Sequence, residues 1–166
     1  MRARIADFTS SAAEGVMQFG EKGGYGTTLR DEDFVWGSNG VAMNQSMVLL
    51  VAQRLGADKK CREGAASNLH YVLGRNCWGT SWVTGVGQRA FMKPHHRPSA
   101  ADAIEAPWPG LMSGGPNARP ADERAKQVKA APPMRMWVDA TEAYSMNEVA
   151  INWNAPLVFV LAALAE

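Results

Sequence analysis

The chain has 166 residues, of which 46% are hydrophobic and 20% charged, and its formal net charge is +1. That length supports one domain with a real core, and the composition is that of a globular protein. A near-neutral balance, with basic residues scattered and no run of five or more like charges, argues against nucleic acid or an acidic membrane as partner.

Residues 2–19 predict a helix, because apolar or small residues recur at Ile5, Phe8, Ala12, Val16 and Phe19. The same stretch, "MRARIADFTSSAAEGV", lacks the continuous apolar core of a secretory signal, so the chain reads as soluble and without an export signal. "GEKGGYG" ends the helix, with Gly20, Gly23 and Gly24 offering positive-φ positions.

"DEDFVWGSNG" then places Trp36 just ahead of a second helix start. Trp36 there suits a cleft edge and a core anchor about equally. The chain holds six Trp, and indole faces serve either core filling or stacking on sugar rings, with core filling the default.

"SNGVAMNQSMVLLVAQRLG" predicts that second helix, capped by Ser38 or Asn39 and closed by Gly56. "DKKCREGAASNLHYVLG" predicts a third, with Asp58 as N-cap, Gly74 just past its end, and an apolar stripe of Cys61, Ala65, Leu69, Val72 and Leu73. The short turn between them predicts an antiparallel hairpin. Cys61 and Cys77 form no CxxC pattern, which disfavours a metal cluster and leaves a disulfide or two free thiols open.

From Arg75 to about Met136 helical periodicity is lost, apart from Ala121 to Ala130. So long a connection is either disordered or functional, and Trp78, Trp82, Phe91, His95, His96 and Arg97 make it too aromatic for a disordered linker. It reads as an ordered surface that faces a ligand. Within it, "SWVTGVGQRAFMKPHHRPS" sets His95, His96 and Arg97 beside Pro94, where neither helix capping nor core packing requires them. Neighbouring side chains of extended backbone point apart, so two adjacent histidines rarely chelate one metal. Hydrogen bonding to a polar ligand is the better reading than a solvated loop.

"WVDATEAYSMNE" holds Asp139 and Glu148 on either side of Tyr144. Paired carboxyls on a cleft are the pattern of glycoside hydrolysis, although acids nine apart are common. The plain alternative for Glu148 is a capping box, Ser145-x-x-Glu148. The last helix is expected from about Asn154 to Leu164, with Pro156 in its first turn, which weakens a helix starting at Ser145. Its apolar run, "APLVFVLAALA", is too short to span a bilayer.

Two long segments carry a specific resemblance: "SWVTGVGQRAFMKPHHR" and "WVDATEAYSMNEVAINWNA". Together with "DFVWGSNG", "YVLGRN", "PGLMSGGPN" and "NWNAPLVFVLAAL", they make the chain closely resemble the C-terminal third of the family 9 glycoside hydrolases, the inverting cellulases. The resemblance covers essentially all of residues 1–166, with no second domain. It implies an all-α fold, part of an (α/α)6 barrel, with a cleft for β-1,4-glucan. It also implies Glu148 as general acid, Asp139 supporting the catalytic centre, and His95 as an active-site histidine. His95 and Arg97 would contact sugar hydroxyls, His96 would also bind substrate, Trp36 would stack on a sugar, and Tyr144 and Trp153 would line the site. No cofactor is required. Calcium sites occur in family members, but no calcium ligands are identifiable in this chain.

The chain also departs from the family pattern. Inversion needs a second carboxylate as base, and in the family that base lies in an upstream Asp-Ala-Gly-Asp motif absent from these residues. A barrel of about twelve helices needs at least roughly 200 residues, so about half of its helices are expected here. An active enzyme would then use Asp139, or a carboxylate from a second copy, as base. The alternative is a truncated, non-catalytic carbohydrate-binding remnant. An incomplete barrel leaves an apolar face open, which favours self-association. The resemblance implies a secreted protein.

Overall fold

The structure is a computed structural model and describes residues 1–20 and 23–166. Its helices are α1 (Arg2–Gly20), α2 (Ser38–Arg54), α3 (Lys60–Val72), α4 (Arg97–Ala101), α5 (Glu123–Lys126), α6 (Tyr144–Asn147) and α7 (Ile151–Ala165). Among the described residues extended backbone pairs only through isolated bridges, so the fold is all-α.

Helix α2 is the hub and packs on α1, α3 and α7. Its Met43, Leu49 and Leu50 are buried against Ala65, Leu69 and Val72 of α3 and Leu157, Val160 and Ala163 of α7. Each fully buried side chain of this size contributes about 1.5–3 kcal/mol of transfer free energy. The α2–α3 hairpin forms as expected. Gly56 takes a φ of 106° in its turn, and the Asp58 carboxylate accepts from the Lys60 amide at 2.8 Å. Helix α3 itself begins one residue later than expected, after Lys59, and Gly74 follows its end with a φ of 123°.

Three features differ from the sequence reading. The buried line of α1 runs through Ala13, with Val16 and Met17 packed beside it, whereas Ile5, Phe8 and Phe19 are exposed. The expected stripe and the buried one lie on adjoining faces, so periodicity found the helix but not the side that its neighbours cover. Glu21 and Lys22 of the expected stop lie outside the described residues. Helix α2 is capped by Gly37, in the left-handed region at φ 91°, and not by Ser38 or Asn39. The Ser38 hydroxyl instead donates to the Pro116 carbonyl at 2.7 Å, and Asn39 Nδ2 donates to the Ser113 carbonyl at 3.0 Å.

The third difference is α7, which starts at Ile151 and holds Pro156 in its interior. A proline there leaves the carbonyl one turn back without its usual donor. The first turn is secured by another route. Asn154 Oδ1 accepts from the Met112 amide at 2.9 Å, and its Nδ2 donates to the Ala150 carbonyl at 2.9 Å. Pro156 is itself buried, so packing keeps it.

The stretch from Arg75 to Met136 is ordered, as expected, with few regular elements. Buried polar groups must find partners, and here asparagine side chains bond backbone that no helix or sheet satisfies. Asn76 Nδ2 donates to the carbonyls of Tyr71 and Thr80, both at 2.8 Å, and Asn117 Nδ2 donates to that of Ser145 at 3.0 Å. Beneath them Trp82 and Trp137 meet edge to face, with ring centroids 4.6 Å apart. Cys61 and Cys77 are both free thiols, and burial pushes both above the usual thiol range.

Candidate functional site

Four chain segments lie side by side and fix the site. The Asn39 amide in the first turn of α2 donates to the Gly114 carbonyl, and the Gly114 amide donates to the Glu148 carbonyl, each at 2.9 Å. On the other side of Glu148, the His95 amide donates to the Asn147 carbonyl at 2.8 Å. Trp36, Glu148 and His95 therefore come from three distant stretches onto neighbouring strands of backbone.

The backbone of this core is close-packed on Trp153. A Cβ built on Gly40 would stand 2.4 Å from its ring, and one on Gly37 would stand 2.7 Å away. Gly114 approaches the other end of the same ring, at 3.2 Å. Trp153, expected to line the site, is half-buried and packs against the backbone at Gly37, Gly40 and Gly114.

Glu148 is the residue after α6, in extended conformation with ψ 146°, and its side chain is half-buried. Its Oε2 accepts from Trp36 Nε1 at 3.0 Å. No capping box forms, because the Ser145 hydroxyl donates to Asp122 Oδ2 at 2.5 Å instead. Asp122 is buried and also accepts from the amides of Ser145 at 2.8 Å and Ala125 at 2.7 Å. Burial works to raise its pKa, but the Ser145 hydroxyl and these amides hold the carboxyl below its ordinary value. Asp122 thereby anchors α6, which delivers Tyr144 and Glu148.

Tyr144 stands between two aromatic neighbours. Its ring centroid is 5.6 Å from that of Trp36 and 5.7 Å from that of His95. Trp36 and Tyr144 are 42% and 37% exposed, enough to offer ring faces to a ligand. His95 Nδ1 lies 2.9 Å from the Thr141 carbonyl. A carbonyl only accepts, so Nδ1 carries a proton and Nε2 is left for a ligand.

The Asp139 carboxylate binds backbone on the segment before His95. Its Oδ2 accepts from the Met92 amide at 2.9 Å and its Oδ1 from the Lys93 amide at 2.8 Å. Both oxygens are engaged in holding the segment that runs on to His95. His96 does serve as a helix cap, contrary to the expectation. Its Nδ1 accepts from the Ser99 amide at 3.4 Å and pairs with the Ser99 hydroxyl at 2.9 Å, at the start of α4. Arg97 is exposed at the first position of α4 and makes no hydrogen bond among the described residues.

Sequence reasoning missed Asn147. This buried side chain accepts from Trp137 Nε1 at 2.8 Å and donates to the carbonyls of Val138 at 2.7 Å and Ala140 at 2.9 Å, locking the Asp139 loop beneath Glu148. Its place immediately before Glu148 was the available signal. Among the described residues no group of three or more His, Cys, Asp or Glu is placed to hold a metal ion, and no helix is long and apolar enough to cross a membrane.

Comparison with known proteins gives a consistent picture. The model of "Glycosyl hydrolase family 9" matches residues 2–161. A cellodextrinase of Butyrivibrio fibrisolvens is 42% identical over 156 residues, covering 93% of this chain and 28% of the relative. Endoglucanase D of Acetivibrio thermocellus is 37% identical over 158 residues, covering 95% of this chain and 23% of the relative. The chain therefore spans about a quarter of the length of these relatives. The crystal structure of a single-mutant thermostable endoglucanase from Alicyclobacillus acidocaldarius superposes with a TM-score of 0.94 at 38% identity, covering 99% of this chain and 31% of that one. The architecture is accordingly a portion of an (α/α)6 barrel.

Proposed function

The chain belongs to glycosyl hydrolase family 9, and from that premise we propose that it carries the acid side of a β-1,4-glucan hydrolase, with Glu148 as proton donor. The observation that carries this reading is the setting of Glu148. Its half-buried carboxylate is oriented by the Trp36 indole N–H, with the rings of Trp36 and Tyr144 beside it. Its Oε1 has no hydrogen-bond partner among the described residues, leaving an oxygen to address a substrate.

In the proposed reaction a glucan lies on the exposed faces of Trp36 and Tyr144, where indole and phenol rings pack on the apolar faces of sugars. Protonated Glu148 donates to the glycosidic oxygen as the bond to the anomeric carbon breaks, and the departing sugar leaves as an alcohol. His95, through Nε2, and Arg97 bond sugar hydroxyls beside the scissile bond. Water attacks from the opposite face, activated by a base carboxylate about 6.5–9.5 Å from the acid, and the configuration inverts. Asp139 is a poor candidate for that base, since both of its oxygens already accept backbone amides. We assign it to positioning, and the base is then another carboxylate.

Cellulases of this family are generally extracellular, and we place the reaction there. The test is Glu148→Gln, which keeps the shape and the Trp36 contact but has no acidic proton to transfer. It is expected to abolish release of reducing sugar from a soluble cellulose derivative while the circular dichroism spectrum is unchanged. Full activity in this variant would end the proposal.

A further inference from the structure

A second exposed aromatic lies on the far side of the extended segment that carries His95. Extended side chains alternate, so His95 and His96 face opposite ways: His95 meets Tyr144, while the His96 ring meets Trp108 edge to face with centroids 5.4 Å apart. Trp108 is 50% exposed, yet it is held at three points. Its Nε1 donates to Asp102 Oδ2 at 2.7 Å, its amide donates to Ser99 Oγ at 3.1 Å, and its carbonyl accepts from Thr84 Oγ1 at 2.6 Å. The second oxygen of Asp102 accepts from the Ile104 amide at 2.9 Å, so one carboxylate fixes both the loop and the indole. An exposed ring normally keeps its rotamer freedom, and here that freedom has been removed with no core gained.

Pro107, which precedes Trp108, and Ser99, which binds the Trp108 amide, line a cavity of about 200 Å³ that Met92, Lys93, Glu105 and Thr141 also border. That is room for roughly six or seven waters at about 30 Å³ each, the scale of one hexose. Lys93 and Glu105 both border it, and no ion pair joins them. Opposite charges on one lining offer both donors and acceptors, which suits an uncharged polyol. The cavity is also tied to the site already described: the Lys93 amide is bound by Asp139, and the Thr141 carbonyl is bound by His95.

We propose that the Trp108 indole and this cavity form an accessory subsite for a single pyranose ring of the glucan, either a backbone glucose or a sugar branching from it. The proposal rests on the glucan reading above. Asp102 holds the indole, Ser99 holds the Trp108 backbone, and Lys93 and Glu105 bond the ring hydroxyls.

The test follows the indole N–H signals of the ¹⁵N-labelled 166-residue chain during titration with cellotetraose and, separately, a xyloglucan heptasaccharide. Signals are assigned by single Trp→Phe variants. Movement of the Trp108 signal is expected with at least one sugar. If cellotetraose moves it, the subsite takes a backbone glucose; if only the branched sugar does, it takes the branch. Trp108→Ala is expected to weaken that binding at least five-fold, and Lys93→Ala, which leaves the backbone bond to Asp139 in place, several-fold. Movement of Trp36 with Trp108 silent overturns the subsite alone. Silence at both overturns it together with the glucan reading.

Discussion

The indole Nε1 of Trp36 donates to Oε2 of Glu148 at 3.0 Å, joining residues 112 positions apart in the chain. The bond gives Trp36 a second duty beyond offering a ring face, since it fixes which way the carboxylate points. Trp36→Phe keeps an aromatic face and removes the N–H. With Glu148 protonated the bond is between neutral groups, worth about 0.5–1.5 kcal/mol. A fall in kcat of up to about ten-fold with KM held is expected in steady-state hydrolysis of a soluble glucan. Trp36→Ala should raise KM as well, and equal behaviour of the two variants would remove the hydrogen bond from the mechanism.

Trp153 and Gly40 define a packing relationship with no slack. A methyl at Gly40 would stand 2.4 Å from the Trp153 ring, far inside van der Waals contact. Overpacking of this kind costs about 1–3 kcal/mol. Gly40→Ala is expected to lower the thermal midpoint by several degrees, and Trp153→Leu in the same chain should recover part of the loss. A Gly40→Ala chain as stable as the parent would show that the ring has room to move.

Much of this architecture was legible in the sequence, for identifiable reasons. The α2–α3 hairpin was readable because Gly56, Asp58 and Gly74 are local signals whose physics needs no distant partner. Ile5 and Phe8 misled because a helix of apolar and small residues offers two adjoining faces, and only tertiary contacts choose between them. Pro156 misled because local rules place proline in a first turn, whereas Asn154 and Met112, 42 residues apart, secure the extra turn of α7. The site shows the same division. Trp36, His95, Tyr144 and Glu148 lie together in the structure, but the roles of Asp122 and Asn147 lie in contacts that no spacing reveals.

Asp122 makes the anchor of α6 sensitive to acid. Its folded pKa is depressed, so its contribution to stability is fully present above the unfolded value of 3.8 and is lost as pH falls through the lower folded value. Urea unfolding at pH 7 should show Asp122→Ala destabilised by about 1–3 kcal/mol, because the Ser145 and Ala125 amides lose a buried acceptor. Below pH 4 the gap between the two chains is expected to narrow. A gap independent of pH would show that the carboxylate charge contributes nothing.

Asp139 tests whether an exposed carboxylate can govern the site without touching substrate. Its two oxygens bind the successive amides of Met92 and Lys93, and the chain then reaches His95 within two residues. Removing the acceptor frees that segment. The bridge from the His95 amide to the Asn147 carbonyl remains, so the fold should survive. Asp139→Ala is expected to cut kcat about 100-fold, the scale of loss when a supporting contact lets catalytic groups drift by about 1 Å, while the thermal midpoint moves by only a few degrees. Asp139→Asn separates positioning from charge. Its single oxygen can accept one of the two amides, so a positioning role predicts activity between that of the parent and that of Asp139→Ala. If Asp139→Asn were as inactive as Asp139→Ala at an unchanged thermal midpoint, charge at this position would matter more than the two backbone bonds, and the positioning role would be withdrawn.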